Sequence, residues 1–150
     1  MNRCRHCLGK AELRNGHCSV CGIDPEKTPS ELSGEEKKAR FHARGILLVA
    51  AGHFIGTVCG LILAFQFPSP APMLLLAGIN LALGLGLARY SLWAYKGATV
   101  YYFLIGMVNV ISIQQGPIHL AGIALALIAL YLVGNGTSKA IFERRLPEMA

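Results

Sequence analysis

Residues 45–67 read GILLVAAGHFIGTVCGLILAFQF, with no Asp, Glu, Lys or Arg among them. As a helix rising 1.5 Å per residue, this stretch would be about 34 Å long, against a bilayer hydrocarbon core of about 30 Å. Its reading decides the fold, because three more stretches of the same kind follow. Residues 71–88, 98–113 and 118–134 are each apolar and free of those charges, and as helices they would be about 24–27 Å long. A helix buried on every side in a soluble core is also apolar all round, but 150 residues cannot surround four of them. The composition agrees, since 53% hydrophobic residues, 15% charged residues and a mean hydropathy of +0.47 do not suit a soluble domain. The expectation is an all-α polytopic membrane protein with four transmembrane helices in a bundle.

The junctions are punctuated. FPSPAP (67–72) and QQGPIH (114–119) break two of them with Pro and Gly. The third, RYSLWAYKG (89–97), sets Tyr90, Trp93 and Tyr95 between Arg89 and Lys96 and reads as a loop at the membrane interface. Of the 14 Lys and Arg residues, nine precede the first span, two flank this junction and three follow residue 134. The positive-inside rule then places both termini in the cytoplasm. No apolar leader precedes the first span, so no cleavable signal peptide is expected.

The head of the chain has a different chemistry. Cys4-x2-Cys7-x10-Cys18-x2-Cys21 offers two thiol pairs. In a reducing compartment such pairs are better read as metal ligands than as disulfides. Four thiolates close a tetrahedral shell around Zn²⁺, and with no open position the metal is structural. A redox Cys-x-x-Cys pair is the alternative. His6 and His17 neighbour the thiols but are not needed to complete the shell.

These residues resemble the short zinc ribbons at the ends of many prokaryotic proteins, membrane proteins among them, which read Cys-x2-Cys-Gly, about ten residues, then Cys-x2-Cys-Gly. CSVCG (18–22) matches the second knuckle, whereas the first has Leu8 where Gly is usual and Gly9 one place later. The resemblance covers residues 4–22. It implies a small β-hairpin module that mediates protein contacts; taken with the apolar spans, the expected location is the inner membrane of a prokaryote.

The expected organisation is a zinc ribbon over 1–24, a linker and basic helical neck over 25–44, a transmembrane domain over 45–134 (spans 45–67, 71–88, 98–113 and 118–134) and a cytoplasmic tail over 135–150. Ser33 and Glu36 have the spacing of a capping box that starts the neck helix. Lys37, Lys38, Arg40 and Arg44 follow, placed to meet anionic lipid headgroups. Arg3, Arg5, Lys10 and Arg14 make the ribbon basic, but it has no aromatic residue to stack on a base, so nucleic acid is not the expected partner.

Within the spans, Gly52, Gly56 and Gly60, and Gly78, Ala82 and Gly86, recur every fourth residue as helix-packing rows. His53, Asn80 and Asn109 are the principal intramembrane polar residues, with Thr57 and Ser112 beside them. His53 and His119 lie at unequal depths, which disfavours a bis-His haem site, and Cys59 reads as a small apolar residue. No hydrolase, metalloprotease or phosphate-loop motif occurs, so no catalytic residue is assigned. The function expected is a non-enzymatic accessory or scaffold subunit docking onto other membrane subunits or itself. The rivals are a homo-oligomeric channel or carrier for a neutral or apolar solute, and a membrane-tethered zinc-ribbon regulator.

Overall fold

The computed structural model describes residues 3–9, 12–66 and 68–144. Lys10, Phe67 at the expected end of the first span, and Arg145 with the rest of the tail to 150 lie outside them. The described chain is mostly helical, preceded by a two-stranded antiparallel hairpin of β1 (Leu13–Arg14) and β2 (His17–Cys18), in which Leu13 faces Cys18. Asn15 and Gly16 both take positive φ at its turn, the conformation a tight hairpin requires.

Helix α1 (Gly34–Ala64) runs unbroken for 31 residues from the neck through the first apolar stretch. The Ser33 hydroxyl accepts from the Glu36 amide, and the Glu36 carboxylate accepts from the Ser33 amide at 2.7 Å, so the capping box is complete. Helix α2 (Ala71–Ala88) opens with Pro72 in its first turn, where a missing N–H costs nothing. Its end is a Schellman turn: Ser91 N–H bonds to Gly86 O, Tyr90 N–H bonds to Leu87 O, and Tyr90 sits in the left-handed region at φ +53°.

Helix α3 (Leu92–Ile111) begins earlier than expected. The junction shrinks to residues 89–91, and Trp93, Tyr95 and Lys96 ride on the helix's first turns. Nothing between Ser91 and Lys96 breaks a helix, and the Ser91 carbonyl accepts from Ala94 and Tyr95 to start it. A 3₁₀ turn (Ile113–Gln115) leads to α4 (Ile118–Gly134), and a 56° bend then separates α4 from the short α5 (Gly136–Phe142).

Two helices, α1 and α2, are long and apolar enough to cross a membrane, with mean hydropathies of 2.3 and 1.9 over their most apolar windows. A third qualifies only if the bent α4–α5 pair counts as one span. Length and apolarity therefore single out two clear spans, not the expected four: α4 has 17 residues, and α3 is diluted by Lys96, Tyr95, Tyr101 and Tyr102.

α1 packs chiefly on α2, and α3 on α4, as two antiparallel hairpins. One end of the bundle carries a continuous core of Ala43, Ile46, Leu87, Ala94, Leu132, Ile141 and Phe142 that runs on into Val20, Ile23 and the cysteines of the ribbon. Away from that end, large apolar side chains such as Ile55, Val58, Leu75, Val108 and Leu125 point outward, each more than half exposed. Apolar surface of that extent requires an apolar surrounding.

Candidate metal centre and the seam that holds it

The two knuckles are built alike. Leu8 N–H bonds to Cys4 O and Gly22 N–H bonds to Cys18 O; Cys4 N–H bonds to Gly9 O and Cys18 N–H bonds to Ile23 O. Each turn needs a left-handed residue just after its second cysteine: Gly22 takes φ +69°, and Leu8 takes φ +59° in the place usual for glycine. Leu8 therefore keeps the turn at the cost of a strained backbone, roughly 1–2 kcal/mol.

These turns aim four buried sulfurs at one point. All lie within 4.8 Å of one another, with Cys4 to Cys21 at 3.8 Å and Cys7 to Cys18 at 3.7 Å, and none is in a disulfide. Zn–S bonds of about 2.3 Å in a tetrahedron give sulfur separations of about 3.8 Å, so the donor set fits that ion. Hydrogen bonding among the thiols drives them apart in acidity. The bond from Cys21 pulls Cys18 down to about 6, and the bond from Cys18 likewise lowers Cys4, while Cys7 and Cys21 are pushed up as they keep the shared protons. A bound cation takes the place of those protons.

His6 and His17 are not in the cluster. His17 Nδ1 meets Asn15 O, whereas His6 is buried with neither ring nitrogen partnered.

The ribbon is clamped to the bundle. Tyr90 donates its hydroxyl proton to the carbonyls of Cys7 at 2.7 Å and Ala43 at 3.1 Å, joining knuckle, α1 and the α2–α3 corner through one atom. Burial pushes its phenol pKa up, so the proton stays in place. Gly9 leaves room for the Tyr90 ring beside the knuckle, since a Cβ there would stand 3.1 Å from a ring carbon. Arg44 donates to His6 O and Arg5 O at 3.1 and 3.2 Å. The Arg5 guanidinium in turn holds the carbonyls of Glu26 and Lys27 in the linker. Arg44 thus has a ribbon-facing contact that its lipid-facing expectation did not contain, while Lys37 and Lys38 are exposed and Arg40 is half-buried.

Of the glycine rows, Gly56 packs on Asn80, Gly60 on Ala77 and Gly86 on Trp93 and Ala94, but Gly52 and Gly78 face open space and Ala82 is exposed. An eight-residue interval turns a helix about 80° past two full turns, so the ends of such a row point in different directions. Gly84, outside the expected row, takes the close approach to His53 and Ala50.

His53 and Asn80 do meet. Asn80 spends its amide N–H on Leu76 O, so its carbonyl oxygen faces His53 Nδ1 at 2.8 Å and makes that nitrogen the protonated one. Thr57 bonds back to His53 O, and the Tyr101 hydroxyl reaches Asn80 at 3.4 Å. Asn109 lies in the other hairpin, where it bonds to Ile105 O and meets His119 Nδ1 at 3.1 Å, in space that Gly122 leaves open. A third such pair, Asn135 with His42 at 2.8 Å, ties the α4–α5 bend to α1. Sequence reading missed Tyr90 as a clamp and both His119 and His42 as partners; the signal available was that each Asn of the bundle has a His to match. No protein-family model, curated protein or solved structure matches the chain.

Proposed function

We propose that the protein is a non-enzymatic accessory or scaffold subunit of the membrane, with four spans, both termini in the cytoplasm and a structural zinc ribbon that presents a contact surface to other subunits. The observation that carries this reading is the seating of the four-thiol centre: it is clamped to the bundle end while the ribbon turns exposed Leu8 and Leu13 outward. A closed shell has no position for a substrate, so its use is to hold a surface in shape. Two observations support four spans. The α1–α2 and α3–α4 hairpins pack side by side, and α1 meets α4 at the ribbon end through Gly45 against Leu132 and His42 beside Asn135. A prokaryotic inner membrane is the location that the ribbon's resemblance favours.

The transport alternative would line a path with His53, Asn80 and Asn109. These groups are instead spent in separate pairs, His53 with Asn80 and Asn109 with His119, each bridging two helices. Purification of the tagged chain from its own membranes in a mild detergent, followed by mass spectrometry, tests the reading. Stoichiometric partner subunits are expected, and a lone homo-oligomer would replace this reading with transport.

A further inference from the structure

We infer that metal occupancy of the ribbon is transmitted to the α2–α3 corner of the bundle through Tyr90, which makes the corner a metal-responsive element. This rests on reading the Cys4, Cys7, Cys18 and Cys21 cluster as a metal site. Three independent observations meet at Tyr90. Its hydroxyl holds the carbonyl of Cys7, itself one of the four thiol residues, across 83 positions of sequence. Its backbone is the left-handed residue of the turn that ends α2, at φ +53°, where a non-glycine residue persists only if its surroundings hold it. Its ring packs against Gly9 of the first knuckle and lies 6.2 Å from Phe142 of α5.

A segment of about 20 residues with two-residue strands has too little core to keep this geometry without the metal. When the thiols lose the ion, Cys7 O is no longer fixed and Tyr90 loses what offsets its strained backbone. The corner is then free to relax, and with it the start of α3 and the packing of Trp93 on Gly86. Coupling of this kind is reciprocal: if the ion steadies the corner, the docked corner raises the ribbon's affinity for the ion by the same factor. The effector is a thiophilic divalent cation such as Zn²⁺.

Hydrogen–deuterium exchange on the full chain in detergent, zinc-loaded and chelator-stripped, with metal content measured on the same samples, tests this. In the wild-type chain, stripping is expected to speed exchange of amides 86–95 about tenfold, together with those of the ribbon. In Tyr90→Phe the corner is expected to be fast already and indifferent to zinc, with apparent zinc affinity about tenfold weaker. Tyr90→Gly, which suits the left-handed turn and lacks the hydroxyl, covers the case in which the Phe variant does not fold: its corner stays ordered and uncoupled from the metal. If ribbon amides respond to stripping while 86–95 do not, the coupling is overturned and the metal reading stands. If the chain holds no stoichiometric metal, or the ribbon ignores its removal, the metal reading itself falls and the coupling with it.

Discussion

The ribbon and the helical hairpins solve the same problem by opposite means. The ribbon has two strands of two residues each and almost no apolar interior, so its shape depends on four side chains converging on one point. The hairpins satisfy their backbones internally and depend on contacts spread along whole helices, with glycines for close approach and a His–Asn pair between α1 and α2 and between α3 and α4. A convergent site fails all at once when one ligand is lost, whereas a distributed interface loses stability in increments.

The largest effect separates the two regions. Cys18→Ser is expected to abolish metal binding, which in comparable small units is worth about 10–16 kcal/mol, and to unfold the ribbon while helical circular dichroism of the bundle persists. Loss of the helices as well would show that the bundle cannot fold without its cap. Next comes a contrast within the bundle. Gly60→Val drives a side chain into Ala77, whose Cβ and backbone stand 3.2 and 3.4 Å from the new Cβ, and should cost about 1–3 kcal/mol in detergent unfolding, whereas Gly52→Val meets open space and should cost well under 1. Equal losses would mean that the packing face is the original every-fourth-residue row.

A smaller change should favour the ribbon. Leu8→Gly puts glycine where φ is +59° and should stabilise the metal-bound form by about 1 kcal/mol, seen as a higher midpoint in chelator titration. The smallest effect lies in the neck. Glu36 bonds to Lys27 at 2.7 Å and to the Ser33 amide, and these partners hold its carboxyl below the usual range. A carboxylate with a lowered folded-state pKa stabilises above the unfolded value near 4.5 and loses that contribution as pH falls through the folded value. Protection of the first turn of α1 should therefore drop with acidification, and Glu36→Gln should flatten that dependence.

What could be read from the sequence divides along the same line. The thiol set and the capping box were legible because their partners lie within 17 and three residues and the chemistry admits few alternatives. The apolar stretches announced the helices for the same local reason. Illegible were the features that need the relative rotation of two helices: which glycine faces a neighbour, that Asn109 belongs with His119 and not with His53, and that Tyr90 reaches back to Cys7. An aromatic between two cations looks like an interfacial anchor whether or not its hydroxyl holds another module, so the bond from Tyr90 to Cys7 O had no signature in the local sequence. The start of α3 was misjudged because charge marked a loop where no residue breaks a helix.

The uninterrupted run of α1 has a mechanical consequence. Thirty-one residues in one helix make a rod of about 46 Å, of which the stretch from the ribbon's docking point at Arg44 to Ala64 at the far turn of the bundle spans about 30 Å. Pivoted at that docking point, a tilt of 5° would sweep the far end through about 2.6 Å, roughly half the pitch of one helical turn. A partner gripping the ribbon would therefore hold a lever, and whatever rests against the distant end would feel the displacement without ever touching the metal.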